Sequence, residues 1–187
     1  SIMAWNEGQE MLIPVDISMG TLGEAKIIPN DAWNMFASSG DYDLYYTSGI
    51  SLYGYDLESG EKQQILNWIN CDVNGDNVSG ISVNDDGSIS CYSNDWDSKT
   101  EEYTLTSIKI EKVPYDSVPH KETLRFATLY MDYTLRDHII DFNRRNDTCR
   151  IEVTDYSELY EYDENGNNLV DGMTVLQTEI MAGNVPD

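Results

Sequence analysis

Basic side chains are scarce in this chain: 11 Lys and Arg stand against 34 Asp and Glu, a formal charge of −23. So negative a surface repels phosphate backbones and anionic headgroups, which makes nucleic acid and an anionic membrane face poor partners. Histidine is rarer still. His120 and His138 are the two present, and neither lies in a nucleophile elbow or beside a recognisable serine or cysteine nucleophile. The three cysteines, Cys71, Cys91 and Cys149, are odd in number and lack C-x-x-C spacing, so they make neither a disulfide framework nor a zinc site. Buried thiols are expected, with a Cys71–Cys91 bridge open only if the two fall on neighbouring strands. No apolar run approaches the ~20 residues that cross a bilayer, and no secretion-type leader is visible. G-x-G-x-x-G, G-x-x-x-x-G-K-[ST] and H-E-x-x-H are all missing, so nucleotide binding and zincin chemistry have no foothold. No catalytic residue, cofactor or metal is assigned, and the expectation is a protein that is not an enzyme.

What is present is a chain of 187 residues, 40 % hydrophobic, enough for one good core or two small ones. Residues 1–41 give weak signals. Met11–Ile17 and Ala25–Pro29 read as strands around a turn-prone Met19–Glu24, and Ala32–Gly40 reads as a short helical turn or a connection. From Asp41 a regular rhythm sets in. Asp43–Thr47, Ile50–Leu57, Gln63–Trp68, Gly80–Asp85, Ser88–Ser93 and Tyr103–Val113 are short β-type segments. Glu58–Lys62 and Asn84–Ser88 form tight turns in which Gly supplies the positive φ. Strands recurring every 8–12 residues without helical pattern predict an antiparallel all-β region.

Two passages within it echo each other, DLYYTS…SLYGYDLESG from Asp43 and GSISCYSND…EYTLTSIKI from Gly87. Each sets a tyrosine-bearing strand before one ending in polar residues. The scheme resembles β-propeller blades, with a plain sandwich or meander as the alternative. Two such units cannot close a ring, so unpaired edges and self-association are expected. Val113–Lys121, with Pro114 and Pro119, reads as a stiff linker. Basic residue type changes there too: residues 1–119 carry 5 Lys and no Arg, residues 120–187 carry 1 Lys and 5 Arg. Two domains follow, 1–119 all-β and 120–187 α/β.

The second part alternates. Thr123–Tyr130 is apolar enough for a buried strand. Met131–Asn146 places Leu135, Ile139 and Phe142 on one helix face, with Asp132 or Thr134 to cap it and Asn146 to stop it. Cys149–Ser157 is a second strand, on which Ile151 and Val153 alternate with polar neighbours. An acidic loop from Ser157 to Gly172 reads as a solvated excursion. Met173–Asp187 then carries Met173, Leu176 and Ile180 along a helix that Gly183 ends, with Pro186 beyond. Strand, helix, strand, helix predicts a parallel sheet with crossover helices.

The wording of that part also resembles a known family. Leu135, Ile139, Phe142 and Asn143, then Ile151, Glu152, Val153, Asp155 and Tyr156, then Leu176, Glu179, Ile180, Ala182, Gly183, Pro186 and Asp187 match the amino-terminal end of bacterial extracellular solute-binding proteins of ABC importers. The largely sugar-binding family-1 branch is the nearest likeness. The resemblance implies an incomplete, periplasmic-binding-protein-like β-α-β-α segment, the truncated start of a binding domain. It implies a lipid-anchored extracellular protein whose secretion signal lay upstream and was removed or truncated. An ABC permease is the implied partner, and a small solute, a carbohydrate first among candidates, the ligand. Ligand-facing positions carried over from the family follow the strands: Tyr130, Met131 and Asp132 after the first, Asp155 and Tyr156 after the second. The two aspartates would accept hydrogen bonds from hydroxyls, and the tyrosines would stack on a sugar face. The blander reading is that Asp132 caps a helix and the tyrosines pack.

Asp72, Asn74 and Asp76 in DVNGDN alternate like a calcium loop, but Asn77 and Val83 stand where a glycine and a bidentate glutamate belong, so a turn is the better reading. Asp163, Asn165 and Asn167 fail likewise at Asn168. The pairs Asp85/Asp86 and Glu101/Glu102 point to opposite strand faces and make poor glycosidase dyads. Alternatives to solute capture are a β-rich cell-surface interaction module working through residues 1–119 and, more remotely, a carbohydrate-processing enzyme.

Overall fold

The computed structural model describes residues 1–37, 40–97, 100–159, 161–162 and 168–187, and the side chains of Trp33, Asp97, Tyr115, Glu158, Glu161, Tyr162 and Asn168 are outside that description. Part of the acidic loop, with Asp163, Asn165 and Asn167, therefore lies outside the described residues. Among the described residues the protein is mostly antiparallel β with two α-helices.

The chain opens on a hairpin, β1 (Ile2–Asn6) and β2 (Gln9–Ile13), turned by Glu7 and Gly8, both at positive φ (50° and 86°). Positive φ at both central residues is the twist a two-residue hairpin turn needs. A short pair follows, β3 (Val15–Asp16) and β4 (Thr21–Leu22), then β5 (Lys26–Ile27), which joins the free edge of β2. Next comes a four-stranded antiparallel meander, β6 (Trp33–Phe36), β7 (Leu44–Ser48), β8 (Ser51–Tyr55) and β9 (Lys62–Asn67). Expected as a helical turn or connection, Ala32–Gly40 instead contributes the edge strand β6. Its register shifts between Trp33 and Phe36, and Asn34 takes φ 46°, so the bulge hides the period-2 pattern. A three-stranded meander completes the antiparallel part: β10 (Val78–Val83), β11 (Ile89–Asp97) and β12 (Glu102–Ile110).

Every residue of β7 and β8 is buried, because both faces of that sheet are covered. On one face Leu44, Tyr46, Tyr53 and Tyr55 pack with Ile28, and Leu12 of β2 closes over them. On the other, Tyr45, Leu52 and Trp68 pack against Val78, Val83, Ile89 and Cys91 of the next sheet. The alternation of side chains along a strand puts successive tyrosines on opposite faces. That is how a Tyr-Tyr pair serves two cores.

The last part holds β13 (Glu122–Thr128), α1 (Tyr133–Arg145), β14 (Cys149–Asp155) and α2 (Gly172–Met181), with a small hairpin, β15 (Glu161–Tyr162) and β16 (Asn168–Val170), before α2. β13 and β14 are parallel, in register from Glu122 opposite Cys149 to Thr128 opposite Asp155. Asp132 caps α1 by accepting from Thr134 N and Leu135 N, and Asn146 ends it. The buried face of α1 is Ile139, Ile140 and Asn143, rotated from the expected stripe, so Leu135 sits at its margin. On α2 the stripe is largely open: Met173 and Ile180 are exposed. The three cysteines are free thiols, and burial raises the pKa of Cys71 and Cys91.

Candidate functional site

In parallel β-α-β units the loops leaving the carboxyl ends of the strands share one rim, and ligands of open α/β sheets bind there. The register brings the two expected residue groups to that rim, since Thr128 stands opposite Asp155. Their side chains do different work. Tyr130 is 75 % exposed, its loop held by Thr128 Oγ1, which accepts from Tyr130 N (3.1 Å) and donates to Tyr130 O (2.7 Å). Met131 turns inward and is buried with Ile139, Ile140 and Val153. Asp132 spends Oδ1 on the α1 cap, at 2.9 Å from Thr134 N and 3.2 Å from Leu135 N. Asp155 Oδ1 accepts from Ser157 N (2.9 Å) and Oγ (2.6 Å). Tyr156 is buried, and its hydroxyl donates to Glu179 Oε2 of α2 at 2.5 Å. Burial first, and the Glu179 carboxylate second, push the Tyr156 pKa up to about 12.

Among the described residues, the rim presents the exposed ring of Tyr130 and two carboxylates, Asp132 and Asp155, whose hydrogen bonds run through Oδ1. Beside it, under α2, lies a cavity of about 270 Å³ reached by Arg125, Ala127, Glu152, Thr154, Tyr156 and Glu179. Of the five expected residues, Tyr156 alone lines it.

Compared with family models, curated proteins and solved structures, the chain matches none.

A cluster that sequence reasoning did not assemble joins this unit to the antiparallel part. In a parallel pair, alternate residues turn both N–H and C=O to the outside, and on β14 those are Ile151 and Val153. Two asparagines close that edge. Asn143 of α1 accepts from Ile151 N (2.7 Å) and donates to Ile151 O (2.9 Å). Asn70, in the 3-10 turn Ile69–Cys71 after β9, accepts from Val153 N (2.8 Å) and donates to Val153 O (3.2 Å), where Asn67 also donates (3.1 Å). Ionic contacts flank them. Arg136 pairs with Asp76, Arg150 Nη2 lies 3.6 Å from Asp72 Oδ1, and Arg144 Nε donates to Asp72 O at 3.0 Å. Asn74 donates to Asp137 at 2.8 Å. In the calcium-like loop, one carboxylate oxygen each of Asp72 and Asp76 faces an arginine, and Asn74 Oδ1 accepts from Asp76 N at 3.1 Å. Ile50 and Ile69 supply the apolar floor beneath, packed with Met131, Ile139, Ile140 and Val153. The one sequence signal was the confinement of all 5 arginines to residues 120–187, opposite an Asp- and Asn-rich turn.

Proposed function

We propose that the protein belongs to the solute-capturing component of a bacterial ABC importer, extracellular and lipid-anchored, and that its β13–β14 rim contributes to the site that takes up a small carbohydrate. The parallel β-α-β unit carries this reading, because its register sets Tyr130, Asp132 and Asp155 at one carboxyl rim. A second observation supports the sheet order. Asp187 N donates to Arg125 O at 3.0 Å, and Asp187 Oδ2 accepts from Arg125 N at 2.8 Å, on the edge of β13 away from β14. A strand added along that edge of β13 would give the 2-1-3 order of a doubly wound sheet. Capture needs no covalent step: a sugar hydroxyl donates to the Oδ2 atoms of Asp132 and Asp155, and Tyr130 covers an apolar ring face. An ABC permease is the receiving partner in this scheme.

We read the antiparallel part as consecutive propeller-type blades. Three successive sheets stack face to face through the cores on either side of β7 and β8, which supports that reading over a two-layer sandwich. The alternative function, a β-rich surface-interaction module, draws on the apolar residues that the first strands and the β3–β4 turn expose, among them Trp5, Ile17, Met19 and Leu22.

Calorimetric titration of the whole gene product with mono- and oligosaccharides tests the proposal. Saturable binding lost in Tyr130→Ala and Asp155→Asn is the expected result. Binding untouched by either change, or no binding to any sugar, rejects the rim as the site.

A further inference from the structure

A second concavity of about 570 Å³ lies between the far end of the β11–β12 ribbon and α1. That volume is within the range of small-molecule sites. Its ribbon side is aromatic. Trp96 and Tyr103 are directly opposite one another across the two strands, their ring centroids 4.7 Å apart and the planes tilted by 55°. They are 51 % and 67 % exposed, so the ring faces remain open to a ligand. Tyr133, at the first turn of α1, lines the same space and is half exposed.

The remaining walls carry negative charge. Among the described residues, Asp95, Asp137 and Asp141 line the groove against one cation, Arg144. Asp95 is held by neutral donors, Asn77 Nδ2 at 2.8 Å and Ser93 Oγ at 3.0 Å, and Asp137 by Asn74 Nδ2 at 2.8 Å. Such bonds fix a carboxylate in place without cancelling its charge. Of the three, Asp141 has a cationic partner among the described residues, Arg145 at 3.1 Å. Arg144 is turned toward the seam, where Nε donates to Asp72 O.

Open aromatic faces attract cations through the ring quadrupole, Trp most strongly. Fixed carboxylates beside them add Coulomb attraction, and a molecule of formal charge −23 draws cations toward its surface. We infer that this groove binds a small organic cation, an alkylated ammonium group seated on Trp96 and Tyr103 and neutralised by Asp95 and Asp137. Anionic ligands are rejected by the same carboxylates. A neutral molecule of equal shape forfeits the charge-dependent share of the binding.

Choline titrated into the full chain, followed by calorimetry and tryptophan fluorescence, tests this against 3,3-dimethylbutan-1-ol, its uncharged isostere, and cellobiose. Saturable binding of choline is expected, with no measurable binding of the isostere. Trp96→Ala and Asp137→Asn should each weaken choline roughly ten-fold. Tyr103→Leu, on the exposed ribbon, gives a second variant whose folding is checked by its unchanged melting curve. Absence of saturable choline binding up to about 10 mM overturns the inference. So does equal binding of the isostere, saturation by cellobiose at this groove, or choline binding unaltered in both Trp96→Ala and Tyr103→Leu.

Discussion

Asn70 and Asn143 do at single positions what a neighbouring strand does along its whole length. Each amide presents one acceptor and one donor, the spacing that a β14 residue requires on its outer side. Removing Asn143 leaves both Ile151 groups without a partner. An unpaired buried backbone group costs about 1–3 kcal/mol, so Asn143→Ala should lose about 2–4 kcal/mol in urea unfolding. Asn70→Ala should lose less, about 1–3 kcal/mol, because Asn67 still holds Val153 O. Neither asparagine was legible as a seam residue. Asparagine in sequence reads as a local turn former, whereas the Asn70–Val153 pair is 83 residues apart. Tyr156 yields a pH prediction at the same scale. Its neutral form is the one the fold favours, so its contribution is complete below the ordinary tyrosine value near 10 and is lost as pH climbs toward about 12. Melting temperature should therefore fall over that window, and Tyr156→Phe should flatten part of the fall. Tyr45 and Tyr55, also raised by burial, keep the remainder.

Among the elements, those with clean periodicity were legible: β7 through β12, α1, β14 and α2 all occur where alternation or the 3.6-residue stripe put them. β13 occurs where its apolar run put it, although this strand, expected to be buried, exposes its first four residues. The Asx-type turns were legible for the same local reasons. Asp56 accepts from Glu58 N and Ser59 N before Gly60 (φ 75°), and Asp86 accepts from Ser88 N beside Gly87 (φ 76°). Several elements escaped, among them β1, β4, β6 and the small β15–β16 hairpin inside the segment expected as a solvated loop. β6 carries a bulge, and the β1–β2 turn puts Glu7, an uncommon residue at positive φ, where Asn or Asp usually signals a hairpin. Tertiary demand also rotated α1, drawing polar Asn143 into the buried face. The junction at the start of α2 permits a test. Gly172 is buried, and a Cβ there would sit 1.9 Å from the carbonyl oxygen of Tyr156. Gly172→Ala must push α2 off Tyr156, and a loss of about 1–3 kcal/mol is expected from such overpacking. Fluorescence-monitored unfolding measures it, and a neutral result would show that α2 is not docked there.

For the whole molecule, charge and exposed apolar surface oppose each other. The formal −23 keeps copies apart, while Trp5, Ile17, Met19, Leu22 and Ile27 invite contact along the first sheets. Salt shortens the reach of the repulsion from about 30 Å at 0.01 M to about 8 Å at 0.15 M. Self-association in analytical ultracentrifugation should accordingly strengthen as NaCl is raised, and Trp5→Ser should weaken it. A monodisperse monomer at every salt concentration contradicts this.

The asparagine closure of β14 also equips the protein with a built-in gauge. The amide protons of Val153 and Ile151 are two residues apart on one strand, yet each is guarded by a different part of the chain. Exchange with deuterated solvent at Val153 therefore clocks how often the antiparallel sheets let go. Exchange at Ile151 clocks how often α1 lifts away, so one strand reports two separate openings.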